Sequence, residues 1–217
     1  MKKLFAYGGV AASVVLIAFG IGSIVVGVVG RGDVRDTLAR EQIVGTDDMS
    51  PAAIRAGAKE AGLKESQIDV PSRNLVGKEI DTGDEARAFA GYMRIHTLEA
   101  TGGLTYAEMG RFQAKPNAPA SETDGRGGTN NPKYAVIDAK TKQPVSNPAR
   151  DIWVTETALA TALNTSFFAE RVSIFSIVMG IALLLTGIGF LVLTLGGALG
   201  LVPIPRRAAR TSPVPTT

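Results

Sequence analysis

The chain has one histidine, His96, and no cysteine. Zinc and non-haem iron sites draw on several His, Cys and carboxylate ligands, and that supply is missing. His96 falls on the run Ala86, Phe89, Ala90, Met93, His96 and Ala100, whose near-helical spacing places its ring on a core-facing stripe. Asp47 with Asp48, and Asp81, Asp84 and Glu85, have the oxygen chemistry for a hard cation, but such pairs read first as helix caps and solvated faces. Residues 124–128 form a Gly-rich turn without the strand and helix of a phosphate loop. Arg31, Gly32 and Asp33 spell an adhesion tripeptide at the base of an apolar run, where chance explains it. Ser and Thr are plentiful, yet one histidine and no general-base constellation do not make a hydrolase triad. On these residues we expect no catalytic or cofactor-binding residue, no metal ligand, no cofactor and no enzymatic activity.

The elements that must position any such chemistry are dominated by two charge-free runs, residues 4–30 and 172–205, and every acidic residue lies between them. Each run exceeds the roughly 20 apolar residues that cross the hydrocarbon of a bilayer as a helix. The first is about twice the length of a cleavable signal core and ends in Val28, Val29, Gly30 and Arg31, so it reads as an uncleaved signal anchor. Lys2 and Lys3 precede it, and Arg206, Arg207 and Arg210 follow the second run. These flanks predict cytoplasmic termini at the plasma membrane, with residues 31–171 outside.

Those five basic residues leave 18 Lys and Arg in residues 31–171 against all 20 Asp and Glu. The sequence pI of about 9.3 is thus a product of the short cytoplasmic ends, and gives no reason to invoke nucleic acid. Without cysteine, the outer segment must hold its core without disulfides.

The expected fold is mainly α: two antiparallel transmembrane helices, 4–30 and 172–202, joined by a mostly helical domain with a small β-hairpin. The first span continues outward as a helix, since only glycines interrupt residues 30–44. Ser50 and Pro51 supply an N-cap and N1 proline for residues 51–61, ended by Gly62. Another helix runs from about 82–84 to Ala100 and stops at Gly102 and Gly103. Residues 113–132, rich in Pro, Asn, Gly and charge, read as a long surface loop that cannot bury enough to order itself. Tyr134, Ala135, Val136 and Ile137 with residues 143–145 suggest the hairpin, Pro144 limiting its second arm to an edge. Asn147 and Pro148 repeat the cap signal and lead without a breaker through Ile152, Leu159, Leu163 and Phe167 to about Leu201. Residues 203–217 read as a disordered cytoplasmic tail.

Inside the spans, Gly9, Ser13, Leu16, Gly20, Ser23, Gly27 and Gly30 recur at alternating spacings of four and three, and Gly180, Gly187, Gly196 and Gly200 punctuate the second. Small stripes let helix backbones approach closely, so these are candidate helix-packing positions, within a hairpin or between copies. No ionisable residue lies in either span, which argues against an ion or proton path. Arg31 and Asp33 fall at the same depth as Glu170 and Arg171, and two opposite-charge pairs are expected there.

Residues 93–112, with His96, Leu98, Glu99, Thr101, Gly102, Gly103, Leu104, Thr105 and Tyr106, resemble a family of two-span actinobacterial membrane proteins. So do residues 147–170, with Asn147, Pro148, Trp153, Glu156, Thr157, Leu163 and Asn164. Some members carry the label of an aromatic ring-opening dioxygenase, but iron held by two histidines and a carboxylate is out of reach for a chain with one histidine. The resemblance implies the two-span topology and supplies no functional residue. The function expected is that of a non-enzymatic envelope protein, an accessory subunit, scaffold or sensor. Its expected partners are the bilayer and another membrane protein or a second copy. The alternative is an enzyme or small-molecule-binding module acting through the outer domain.

Overall fold

The computed structural model describes residues 2–198, with side chains described for residues 6–197. Gly200 and the tail 203–217 lie outside the described residues. The chain is mainly helical: α1 Lys2–Arg40, α2 Pro51–Glu60, α3 Gly83–Ala100 and α4 Pro148–Ala198. One two-stranded antiparallel sheet pairs β1 Phe112–Gln113 with β2 Gly128–Thr129, in register Phe112↔Thr129. Two compact units result, one of residues 1–29 with 173–217 and one of residues 30–172.

In the first unit, α1 and α4 are long and apolar enough to cross a membrane. Their neighbours run in opposite order, Gly9 beside Thr194, Gly20 beside Gly180 and Leu184, and Gly27 beside Ser173 and Ile177, so the two helices are antiparallel. Small residues at heptad spacing form the seam. Ser13, Gly20 and Gly27 on α1 and Ser173, Gly180 and Gly187 on α4 are all buried. A seven-residue repeat keeps one seam facing its partner, and small side chains bring the backbones close. The large apolar residues point the other way: Phe19, Val26, Phe175 and Leu185 are each more than 60% exposed.

The second unit holds a core of its own. α2 starts where expected, with the Ser50 hydroxyl accepting from Ala53 N at 3.2 Å and Pro51 at N1. α3 opens with a capping box in which Thr82 accepts from Glu85 N and the Glu85 carboxylate accepts from Thr82 N. It ends on Gly102 and Gly103, both at positive φ (62° and 83°), which only glycine adopts without strain. Leu38 from α1, Ile54 from α2, Ile80, Phe89, Tyr92 and Ile95, and Leu163 from α4 form one buried cluster. Leu98, Met109 and Trp153 form a second.

Two expectations need correction. The first half of the expected α3 stripe, Ala86, Phe89 and Ala90, is buried, but the second half is not: Met93 and His96 are half-buried and Ala100 is exposed, while Tyr92, Ile95 and Leu98 are buried. The stripe assumed one packed face, whereas α3 meets α2 on one side and contributes to clusters with α4 on the other, which turns the burial toward Tyr92 and Leu98.

The expected hairpin pairs across residues 136–145: Val145 N–H donates to the Val136 carbonyl at 2.8 Å and Asp138 N–H to that of Gln143 at 2.9 Å, on either side of the antiparallel bridge Ile137↔Pro144. Its ladder bonds fall on the neighbours of Pro144, which has no N–H to give. The named strands β1 and β2 lie elsewhere, where a loop without order was expected. Residues 113–132 are ordered by polar contacts in place of apolar burial. The Asp124 carboxylate accepts from the backbone N–H groups of Gly110, Arg126 and Gly128, each at 2.8 Å. Thr129, 1% exposed, donates to the Glu122 carbonyl. Burial works to raise the Asp124 carboxyl, but the Gly110, Gly128 and Arg126 N–H groups outweigh it and hold the group below the ordinary aspartate range.

Candidate functional site

Antiparallel placement of α3 against the outer part of α4 follows from their contacts: Gly83 packs on Phe167 and Glu170, Arg87 lies over Phe167, and Arg94 lies over Trp153. Where the two helices carry Ala88, Gly91 and Ala160, short side chains leave a cleft of about 550 Å³, closed on one side by residues 69–73. Pro71 covers Gly91 so closely that a Cβ there would lie 2.7 Å from the proline ring. The Tyr92 hydroxyl donates to the Arg73 carbonyl at 2.9 Å and fixes that segment.

Six charged side chains face the cleft, Asp69, Arg73, Asp84, Arg87, Arg94 and Glu156. Asp84 is consumed locally: Arg171 donates to it at 2.5 Å and Arg73 stands 3.8 Å away. The others are not. Among the described residues Arg87 and Arg94 make no ion pair, and neither do Asp69 and Glu156. Arg87 sits 4.7 Å from the Phe167 ring centroid and Arg94 5.1 Å from that of Trp153, contacts that orient a guanidinium while leaving its donors free. Glu156 is 6% exposed, and its one hydrogen bond is from the neighbouring Thr157 hydroxyl at 3.4 Å.

A second polar centre joins three helices. Glu170, also buried, accepts from Arg31 Nε at 3.1 Å with one oxygen and from Gly83 N at 2.8 Å with the other. The N-terminus of α3 thereby receives a carboxylate where its unpaired N–H groups favour negative charge. Of the two charge pairs expected at this depth, Arg31 with Glu170 forms, while Arg171 turns to Asp84 instead of Asp33.

His96 stands between two carboxylates, with Nε2 3.5 Å from Asp48 and Nδ1 3.1 Å from Glu99. It is therefore a half-exposed bridge between α3 and the segment before α2, and not the enclosed core ring that its sequence position suggested. Among the described residues, no three His, Asp or Glu side chains are grouped to hold a metal ion.

The helix-packing positions lie in the first unit. A Cβ on Gly20 would fall 2.7 Å from Leu184 N and 2.8 Å from the Gly180 carbonyl oxygen, and one on Gly180 would fall 2.7 Å from the Gly20 oxygen. Gly27 faces Ser173, Gly9 faces Thr194, and Gly187 faces Leu16 and Ile17. Ser13 is fully buried and donates back to the Gly9 carbonyl at 2.8 Å. Ser23 is half-buried on a groove with Gly22 and Ser176, and Gly196 is half-buried near the described end of α4. Sequence reading missed Ser173 and Thr194 as partners, although both continue the heptad of Gly180 and Gly187. It also missed the Arg87 and Arg94 cleft, whose only signal was the seven-residue spacing of two arginines on one helix.

Comparison with models of protein families, with curated proteins and with solved structures finds no match to this chain.

Proposed function

We propose that this chain is an integral protein of the plasma membrane whose α1 and α4 cross the bilayer as an antiparallel hairpin. Both termini are cytoplasmic, and residues 31–171 form an extracytoplasmic recognition unit. It acts without enzymatic chemistry, as an accessory or sensor protein of the cell envelope that presents this unit to a partner. It is the kind of protein that the resemblance to two-span actinobacterial proteins implies. The observation that supports it most is the inverted burial of the first unit. Only 17% of the most apolar stretch of α1 and 11% of that of α4 is buried, with small residues inward and large apolar ones outward. A water-soluble helical pair buries its large apolar side chains, whereas lipid welcomes them at the surface and leaves close backbone packing to hold the helices.

The test is a reporter that is active only outside the cytoplasm. Fused near residue 120 it should be active, and fused after Thr217 it should be silent. Activity at the C-terminal fusion alone would overturn the orientation. Purification in mild detergent should then retain a stoichiometric membrane partner or a second copy. The small-molecule-binding alternative draws its support from the α3–α4 cleft and its unpaired charges.

A further inference from the structure

The α3–α4 cleft carries two arginines, Arg87 and Arg94, and two carboxylates, Asp69 and Glu156, that form no ion pair with one another. We infer that it is a binding site for a short zwitterionic peptide of about three residues, its ammonium against Glu156 and its carboxylate against Arg87. This inference rests on reading residues 31–171 as a recognition unit.

Arg73 and Asp84 pair with each other, and the four remaining charges of the lining cancel in number, two arginines against two acids, so a simple anion or a simple cation is poorly matched. A ligand bearing both signs at a distance fits better. Glu156 lies three residues beyond Trp153, at the end of the cleft where Arg94 stacks, whereas Arg87 stacks on Phe167 at the other end. Arg87 and Arg94 are two turns apart on α3, about 10 Å of helix rise. An extended peptide spans about 3.3 Å per residue, so roughly three residues separate an amino terminus from a carboxyl terminus by that length. Between the charged ends, Thr157, Thr161 and Asn164 line the same cleft at helical spacing. The Thr161 hydroxyl donates to the Thr157 carbonyl, which leaves its oxygen free to accept a peptide N–H. Asn164 has donors and an acceptor to offer a peptide backbone. A volume of about 550 Å³ lies within the range of small-ligand sites. The floor of alanine and glycine provides room without making a demand on side-chain identity, so recognition falls on the termini and backbone.

Trp153 is the only tryptophan, which makes its fluorescence a direct reporter of the Arg94 end. The experiment uses the full chain purified in detergent, titrated with trialanine, its N-acetyl form and its C-terminal amide, so the result is independent of membrane sidedness and of any protein partner. Trialanine should give a saturable fluorescence change, and each blocked form should bind at least about tenfold more weakly, the equivalent of one matched charge. Glu156→Gln should abolish the preference for trialanine over its N-acetyl form and keep the preference over the amide. Arg87→Met, which retains the apolar stem on Phe167, should do the reverse. Absence of a saturable response to trialanine at millimolar concentration would overturn the proposal, as would equal binding of the blocked peptides. Neither outcome would touch the membrane reading, which the reporter fusions test separately.

Discussion

Replacing Gly20 by alanine inserts one methyl group where the α1–α4 seam brings a helix backbone into direct contact. Its carbon would stand 2.7 Å from Leu184 N, 2.8 Å from Gly180 O and 3.0 Å from Leu184 Cα. All three are backbone atoms of a helix, so no side-chain rotation relieves the overlap. Ordinary carbon contacts lie at about 3.5–4.0 Å, and the helices would have to part by about 1 Å. That movement loses close packing over neighbouring turns, and overpacking of this kind costs about 1–3 kcal/mol. For a chain of this size about 2 kcal/mol corresponds to roughly 4–8 °C in Tm. Gly22→Ala is the matched control, because a Cβ there meets nothing within 4 Å. Two assays read the effect. Thermal unfolding of the detergent-purified chain should show the lower midpoint for Gly20→Ala alone. The chain has no cysteine of its own, so Leu16→Cys with Gly187→Cys gives a proximity probe, and the glycine variants are compared in that one background because a Cβ at Gly187 itself comes within 3.0 Å of Ile17 N. A Cβ on Gly187 would lie 3.0 Å from the Leu16 Cβ, somewhat inside the usual disulfide range of about 3.5–4.5 Å, so the pair should oxidise within one chain. Gly20→Ala should slow that oxidation, and Gly20→Leu should slow it further. If Gly20→Ala matches Gly22→Ala in both assays, close backbone packing does not hold the hairpin.

Two further outcomes follow from carboxylates that accept backbone N–H groups. Glu170→Ala removes the acceptor of Gly83 N–H and the partner of Arg31, and should cost about 2–3 kcal/mol by leaving a buried donor unsatisfied. Glu170→Gln, which keeps an acceptor for Gly83, should cost about 1 kcal/mol, and equal losses in thermal unfolding would refute the capping role. Asp124 is held below the ordinary range when folded, against about 3.9 when unfolded. Its contribution is therefore complete above pH of about 4 and is lost as pH falls through the folded value. Limited proteolysis within residues 115–127 should increase as the pH falls through that window. Asp124→Asn should already be susceptible at neutral pH, and identical digestion of both proteins would refute the clasp.

Much of the helical framework was legible because local rules decide it. The caps at Ser50, Thr82 and Asn147, the prolines at 51 and 148 and the glycines at 62, 102 and 103 all act within one turn. The small-residue stripe was equally visible, since a seven-residue spacing is a property of one helix. What escaped depends on contacts across the chain. The face of α3 could not be read from its own periodicity, because α2 and α4 press on different sides of it. Residues 113–132 gave a compositional signal of disorder, yet one carboxylate gathering N–H groups from Gly110, Arg126 and Gly128 orders them, and composition says nothing of where an aspartate points. The cleft was hidden for the same reason. Its residues come from positions 69–73, 84–94 and 156–164, and only the fold makes them neighbours.

The core of the second unit is closed by the part of that unit that is made last. Leu163 enters the cluster that begins with Leu38, Trp153 completes the cluster of Leu98 and Met109, and Glu170 satisfies both Arg31 and Gly83. These partners are separated by 44 to 139 residues, so the chain must wait for α4 before Arg31 finds Glu170 and the two clusters are complete. Contacts of such long range slow folding and prolong the exposure of unfinished surfaces. During synthesis the segment from 31 to 147 is thus an incomplete body awaiting its lid. A chain released before residue 148 would keep Leu38, Phe89 and Leu98 open to solvent, presenting quality-control proteases with a substrate that the finished protein never offers.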